Sequence, residues 1–341
     1  MTTAIVFFII LFALLLGAMG YCIVKLILDL HNERKAKFLA AAAEQGESRE
    51  EALASWKLDV QKKTQKFTKV LIQILLYAFL CIMALIVVFP FYWMLLSSVK
   101  TLNEYEYDVP TFWPKEGFHF ENYANAFTTL KLDTLFLNTL YVGIVSTVLS
   151  LVITVLAAFA FARLEFKGKN ALFAALLATM MIPGELFTIT NYQTIHAFGW
   201  SETFTVLIVP FLVSVFYIYL LRQNFMQIPD ELYFAAKVDG TSDLKYLWKV
   251  MIPMAMPTLI SITILKMMGS WNSYMWPMLV AKDDMHTLIT YGLRKQFSDV
   301  LNPDYPMQMA AVTLVSAPLF LVFIFLRKYI MKGVSRSGLK G

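Results

Sequence analysis

The chain has 341 residues, of which 58% are hydrophobic, and its mean hydropathy is +0.61. This composition excludes a soluble globular protein, because too few polar side chains remain to cover the surface. The net charge of +5 predicts no nucleic-acid partner, since basic residues at a membrane surface are explained by contact with anionic lipid.

Seven apolar windows are long enough to cross about 30 Å of hydrocarbon as helices. They lack the alternation of membrane-spanning strands, so we predict an all-α polytopic membrane protein whose spans satisfy their own backbone hydrogen bonds. The windows are residues 4–28, 70–96, 137–162, 171–192, 203–222, 255–280 and 308–331.

The distribution of Lys and Arg predicts the orientation. If residues 230–240 face the cytoplasm, the segments on that side hold 21 of these residues and those on the other side hold six. An excess of this kind marks cytoplasmic loops. We therefore expect the N-terminus outside and the C-terminus in the cytoplasm.

The first 69 residues precede the other six spans. Residues 1–28 lack the basic start of a secretory signal, and the apolar run continues to Leu28, so we predict a retained transmembrane anchor. Residues 29–69 are rich in both charge signs and in Ala, which favours a helical linker at the membrane surface or in the cytoplasm.

The sequence gives little support to catalysis or metal binding. Its two cysteines, Cys22 and Cys81, lie in separate spans, and its four histidines are scattered over the linker and loops. We therefore expect no catalytic, cofactor-binding or metal-ligating residue. If nucleotide drives the protein, another subunit must bind it.

Residues 228–257, IPDELYFAAKVDGTSDLKYLWKVMIPMAMP, predict two short helices joined by a turn. Pro229 and the acidic residues after it suit a helix N-terminus. Gly240 can adopt the left-handed conformation that ends a helix, and Pro253 and Pro257 can bend the chain as it re-enters the membrane. An ordinary amphipathic loop on the bilayer surface is the alternative.

Several stretches in order resemble one transporter family. Besides the loop at 228–257, they are SSVKT from Ser97, NTLYVGIVSTVLSLVITVLAAFAFARLEFKGKN from Asn138, MIP from Met181, WNSYMWPML from Trp271 and the C-terminal LRKYIMKGVSRSGLKG. The chain from about residue 70 resembles the carbohydrate branch of binding-protein-dependent ABC importer permeases, which includes maltose and glycerol-3-phosphate importers. The resemblance implies a six-helix type I permease core, here with one extra N-terminal helix.

The resemblance also implies an assembly in the bacterial inner membrane. Its expected parts are a second permease forming a heterodimer, an ATPase dimer that binds ATP, an extracytoplasmic solute-binding protein and a mono- or oligosaccharide substrate. The predicted domains are an anchor at 1–28, a linker at 29–69 and a permease domain at 70–341 with its coupling loop at 228–257. Loops 101–136 and 282–307 are expected to dock the binding protein, with ordinary solvated loops as the alternative.

Coupling to the ATPase is expected to involve the first half of the loop. The family usually has Glu immediately before the two alanines, whereas this chain has Phe234. A buried Phe can contribute binding free energy comparable to that of a carboxylate, so we expect coupling through different contacts. The expected coupling residues are Glu231, Phe234, Ala235, Ala236, Asp239 and Gly240.

Polar and aromatic residues within the spans are candidates for the substrate path. Aromatic rings can cover sugar faces, amides can bind sugar hydroxyls, and charges within a span need a partner or water. The alternatives are helix–helix contacts, interfacial anchoring and pairing of Lys266 with Glu185. The predicted path residues are Lys266, Trp271, Asn272, Tyr274 and Glu185.

Two other classes of protein are alternatives to this interpretation. A secondary transporter driven by an ion gradient predicts inverted repeats and intramembrane acids, of which Glu185 is the clear example here. A membrane enzyme or sensor predicts a catalytic set or an added recognition domain. A related importer of glycerol-3-phosphate or another polar solute is a further alternative.

Overall fold

The computed structural model describes residues 25, 35–38, 40, 49–298 and 303–335. Within these residues every regular element is a helix, which confirms the predicted all-α class. Apart from Lys25, the predicted anchor at 1–28 lies outside the described residues. The α-helices are α1 Arg49–Ser98, α2 Leu102–Tyr105, α3 Glu121–Thr129, α4 Leu132–Arg163, α5 Lys169–Thr179, α6 Thr188–Ala197, α7 Phe204–Ile208, α8 Val215–Phe225, α9 Asp230–Val238, α10 Asp243–Tyr246, α11 Ile252–Met254, α12 Met256–Trp271, α13 Met275–Val280, α14 Ile289–Ser298 and α15 Tyr305–Ser335.

Helix α1 begins in the charged linker and continues through the second predicted span. Its part Thr68–Ser98 is long and apolar enough to cross a membrane. The large apolar side chains between residues 70 and 89 are exposed, as contact with lipid requires. Contacts divide the chain into the units Met1–Phe89 and Pro90–Gly341; the domain boundary between residues 69 and 70 stays a prediction.

In the second unit, two helices are unbroken candidate spans: α4, and α15 over Tyr305–Arg327. Helix α4 packs against both α8 and α12. Gly143 lets α4 and α12 approach closely, because a Cβ atom at this position would lie 2.9 Å from the sulfur of Met267. Helix α4 is therefore central to the packing of this unit.

The fourth and fifth predicted spans are bent, which corrects the expectation of single helices. The chain turns by 82° between α5 and the segment Gly184–Ala197, which begins with a 3₁₀ turn at Gly184–Phe187. Pro183 lies at this break and cannot donate a backbone hydrogen bond. The fifth span bends by 45° between a 3₁₀ turn at Val209–Phe211 and α8.

The sixth predicted span, residues 255–280, also needs correction. Its main helix, α12, ends at Trp271, and the separate helix α13 begins only at Met275. Asn and Ser in the intervening NSY compete with helical hydrogen bonds, which explains a break here. At the other end, the chain turns by 80° between residues 254 and 256, so the bend predicted from Pro253 and Pro257 is confirmed.

Candidate coupling loop and substrate path

The segment 228–257 forms two helices around a tight turn, as predicted. Helix α9 ends in a Schellman motif, in which the Thr241 N–H donates to the Ala236 carbonyl at 2.9 Å and the Gly240 N–H donates to the Lys237 carbonyl at 3.0 Å. Gly240 has φ +67°, the left-handed conformation that glycine adopts readily. The Ser242 hydroxyl then accepts from the Lys245 N–H and caps α10.

Side chains hold the two helices of the loop together. The Tyr233 hydroxyl donates to Asp243 Oδ1 at 2.7 Å, and Lys237 Nζ lies 2.6 Å from the same oxygen. The ammonium group also lies 5.4 Å from the centre of the Tyr233 ring. The hydrogen bond to Asp243 raises the pKa of Lys237 above its ordinary value. This triad fixes the angle between α9 and α10.

Arg163, the last residue of α4, joins the loop to the membrane helices. Its Nη2 donates to the backbone carbonyls of Phe225 at 2.9 Å and Ile228 at 2.5 Å, and its Nη1 donates to Asp230 Oδ1 at 2.5 Å. The Arg163 side chain is only 5% exposed, whereas that of Asp230 is 68% exposed. One guanidinium thus connects the ends of α4 and α8 to the start of α9.

A buried apolar cluster lies beneath the loop. Helix α10 continues through a π-helical turn, Leu247–Met251, into α11. Tyr246, Leu247 and Met251 are fully buried and pack with residues of α4, α8 and α12, including Phe225. Because packed cores resist deformation, a displacement of the loop must move the attached helices.

The opposite side of the loop presents apolar side chains to solvent. Phe234 is 63% exposed and Val238 is 88% exposed, and both Leu244 and Trp248 are also exposed. Of the other predicted coupling residues, Ala236 is half-buried and four are exposed: Glu231, Ala235, Asp239 and Gly240. We call Phe234, Val238, Leu244 and Trp248 the exposed face. Their role in coupling stays a prediction.

A cavity of about 380 Å³ lies among the helices of the second unit. Its volume is within the range of about 300–1,000 Å³ that small-ligand sites occupy. Hydroxyls, aromatic rings and one cation line it together with apolar groups, and Lys266 Nζ donates to the Phe211 carbonyl at 2.5 Å. The lining residues are Val142, Ser146, Leu207, Pro210, Phe211, Val213, Ser214, Tyr217, Lys266, Gly269, Ser270, Ser273, Trp276 and Leu288.

Of the five predicted path residues, the structure brings Lys266 to this cavity. Trp271 is buried instead against α15, where its Nε1 donates to the Val315 carbonyl at 3.3 Å. Asn272 is exposed and Tyr274 is half-buried beside the Tyr291 ring. Path roles for Trp271, Asn272 and Tyr274 stay predictions.

Glu185 lies at the bend of the fourth span. It is exposed within the 3₁₀ turn that follows Pro183. The ammonium of Lys266 binds the Phe211 carbonyl, and the structure does not bring Glu185 to it: within the described chain, no ion pair joins the two residues. A path role for Glu185 stays a prediction.

Sequence reasoning missed several residues of both sites. Arg163 is one of many basic residues near the ends of spans, so its position in the sequence does not indicate that its side chain is buried and hydrogen-bonded. The cavity residue Ser146 lies in α4, whereas Ser214 and Tyr217 lie at the start of α8. Only the packing of these helices brings the three residues to the cavity that Lys266 also lines. The polarity of Ser146 within an apolar helix was the available signal.

The segment after α1 is held by a buried polar network. Glu104 accepts a hydrogen bond from the Thr111 hydroxyl at 2.5 Å and others from the backbone N–H groups of Lys115 and Glu116. Lys100 is also buried, and its Nζ donates to the Thr111 carbonyl at 2.6 Å. Burial lowers the pKa of Lys100, although the nearby Glu104 charge opposes this shift.

The second predicted docking loop is anchored to α4. Asn138 Nδ2 donates to the carbonyls of Met285 and Thr287, and the Thr139 hydroxyl accepts from the Ile289 N–H.

Among the described residues, no cluster of three or more His, Cys, Asp or Glu side chains could hold a metal ion.

Comparison with known proteins gives a consistent picture. Residues 52–336 match the family model described as "Binding-protein-dependent transport system inner membrane component". An arabinooligosaccharides transport system permease protein from Halalkalibacterium halodurans is 30% identical over 261 residues, which cover 76% of this chain and 93% of that protein. A diacetylchitobiose uptake system permease protein from Streptomyces coelicolor is 29% identical, with 76% and 87% covered.

Two further matches cover nearly the whole of the related chain. An inner membrane ABC transporter permease protein from Escherichia coli is 30% identical over 271 residues, 78% of this chain and 95% of that protein. A chain in the crystal structure of a bacterial ABC transporter involved in the import of the acidic polysaccharide alginate superposes with a TM-score of 0.70. That superposition covers 76% of this chain and 96% of the other at 23% identity, and it shows a shared fold.

Proposed function

Because the chain belongs to the family of binding-protein-dependent transport system inner membrane components, we propose that it is the permease subunit of an ATP-driven carbohydrate importer. It lies in the membrane as a multi-pass protein, and the family implies a partner permease, an ATPase and a binding protein. The family is one of transport permeases, which are generally non-enzymatic. An ion-gradient transporter is not favoured.

The finer assignments extend this proposal. The partner permease is a different, related chain, and two ATPase copies bind ATP, so this chain itself needs no cofactor and performs no bond chemistry. The coupling loop and C-terminus face the cytoplasm. A carbohydrate substrate is supported by relatives whose names specify arabinooligosaccharides and diacetylchitobiose, and by a cavity whose hydroxyls and rings suit sugars.

The observation that carries the mechanism is the rigid attachment of an exposed apolar loop to the helices around the cavity. Closure of the ATPase dimer would displace the exposed face, and the triad of Tyr233, Lys237 and Asp243 would keep the loop's shape. Arg163 and the buried cluster would transfer the displacement to α4, α8 and α12. All three helices contribute lining residues to the cavity, including Ser146 of α4, Tyr217 of α8 and Lys266 of α12. The loop can therefore bias access to the path.

Purification of the tagged protein from its native membranes tests this function. We expect mass spectrometry to identify an ATPase and a second permease with the unaltered chain. Phe234→Asp places a charge in the exposed face and should reduce ATPase recovery about tenfold or more, since buried aromatic anchors are interface hot spots. The exposed Val109, in the loop between α2 and α3, supplies the control Val109→Asp, which should leave ATPase recovery unchanged.

Two outcomes would contradict different parts of the proposal. A folded chain recovered without an ATPase, with uptake that follows an ion gradient, would overturn the importer assignment. Normal ATPase recovery and normal substrate-stimulated ATP hydrolysis in Phe234→Asp would leave the importer assignment intact but remove Phe234 from the coupling contact.

A further inference from the structure

The cavity is lined by one charged side chain, that of Lys266. Lys266 lies in α12, about 15 Å along the helix axis from Met256 at 1.5 Å per residue. Among the lining residues it is the only Lys, Arg, Asp or Glu. An isolated cation at this depth is costly unless a counter-charge or water compensates it.

The described residues compensate this cation only in part. An ammonium group has three donors, and one of them is accounted for by the Phe211 carbonyl at 2.5 Å. A carbonyl is a neutral acceptor, so it satisfies one hydrogen bond and leaves the charge in place. Water or an anion from outside the described part of this chain must therefore complete the surroundings of Lys266.

The surroundings of Lys266 suit a saccharide that bears a carboxylate. Ser270 lies one helical turn after Lys266 on α12, and Ser273 follows the end of that helix. Ser214 and Tyr217 come from the start of α8. Phe211 and Trp276 pack edge to face with centres 5.8 Å apart, which gives an aromatic wall. The cavity therefore combines hydroxyls that can bind sugar hydroxyls, aromatic rings that can cover sugar faces and a cation that can bind one anionic group.

We propose that this cavity is a selective site for acidic saccharides, in which Lys266 binds a uronate carboxylate as the sugar passes through the membrane. The inference rests on the proposed importer function and names the substrate class of that path. The competing source of the anion is a carboxylate of the partner permease. In that case Lys266 would stabilise the assembly and would not distinguish sugars by charge.

The test measures binding to the complete importer in lipid nanodiscs without its binding protein. Equilibrium dialysis would compare labelled disaccharides of glucuronate, galacturonate and mannuronate, each with its neutral hexose counterpart. We expect at least one acidic disaccharide to bind about 10–100-fold more tightly than its neutral partner, the effect of one charge-assisted hydrogen bond. Lys266→Met should abolish that preference, and Lys266→Arg should retain most of it.

Lys167→Met is the matched control, because Lys167 is an exposed lysine of the loop between α4 and α5; it should leave the preference intact. Equal binding of each acidic and neutral pair by the unaltered complex would overturn the inference and leave the importer function standing. This comparison needs no variant, so it decides the question even if Lys266→Met fails to assemble. If the unaltered complex shows no charge preference and the Lys266→Met chain no longer retains the partner permease, the anion that pairs with Lys266 belongs to that partner.

A complex that assembles with its ATPase but binds and transports none of these sugars would overturn the inference. Recovery of the ATPase would still support an importer of another solute. The two proposals therefore fail through different results.

Discussion

At the scale of single residues, the buried contacts of Arg163 predict a measurable contribution to stability. Arg163→Met removes the donor from the Phe225 and Ile228 carbonyls and from Asp230. Since buried acceptors left without donors are costly, we expect a loss of about 2–3 kcal/mol of unfolding free energy. Thermal unfolding of the purified protein would measure it, and ATP hydrolysis would become less responsive to substrate.

Asp230→Asn is the matched control for this prediction. It removes the charge of a carboxylate that is 68% exposed but leaves the two carbonyl contacts of Arg163 in place. We expect less than about 1 kcal/mol, because exposed ion pairs contribute little. Equal destabilisation by both variants would show that the ion pair, rather than the backbone contacts, joins the loop to α4.

Glu104 gives the segment after α1 a dependence on pH. Burial alone would raise the pKa of Glu104, but the hydrogen bonds from Thr111, Lys115 and Glu116 and the charge of Lys100 bring it below the ordinary value of 4.5. The resulting stabilisation is present above pH 4.5 and is lost as the pH falls through the lower pKa of the folded state. The protection of the amides of residues 101–120 against hydrogen exchange, relative to their intrinsic rates at each pH, should therefore decrease below pH 4.5.

Glu104→Gln supplies the comparison for that pH series. The amide does not titrate in this range, so the protection of this segment against exchange should already be weaker at neutral pH and should change less on acidification. A variant with the same acid-induced change as the unaltered protein would show that another group controls the transition.

At the scale of elements, the turn between α9 and α10 depends on the backbone conformation of Gly240. A Cβ atom there would meet nothing within 4 Å, so the cost of Gly240→Ala comes from φ +67° alone and should be about 1–2 kcal/mol. Asn tolerates this conformation better, and Gly240→Asn should cost less. Hydrogen exchange at the Thr241 amide, a donor of the Schellman motif, would report the opening of the turn.

The coupling loop was predictable because its signals are local. Pro229, Gly240 and the two later prolines each act within a few residues, and the observed helices, turn and bend follow them. The breaks at Pro183 and after Trp271 were missed because hydropathy is averaged over a whole window. A bent pair of short helices and one straight helix give the same average, so the window identifies apolar chain without fixing its path.

At the scale of the whole molecule, the sites depend on contacts between distant parts of the sequence. The cavity combines residues from position 142 to position 288, and hydropathy gives no order in which spans pack. Trp271 illustrates the difficulty: its aromatic ring suits a sugar, but packing against α15 occupies it. The family resemblance supplies the fold and the expected kinds of partner only where motifs match, so the lining of the path had to come from the structure.

The orientation of the chain is the remaining property that sequence predicts for the whole molecule. Val238 and Met285 are exposed in loops on opposite predicted sides, and they provide positions for single cysteines once Cys22 and Cys81 are replaced by Ala. In vesicles from cells that lack the partner ATPase, a membrane-impermeant maleimide should label Met285→Cys when the vesicles are right-side-out and Val238→Cys only when they are inverted. The reason is that the predicted side of Val238 holds 21 Lys and Arg residues and the other side holds six, and such an excess marks the cytoplasmic side. The reverse pattern would place the coupling loop outside the cell, beyond the reach of a cytoplasmic ATPase, and would contradict the coupling mechanism together with the orientation.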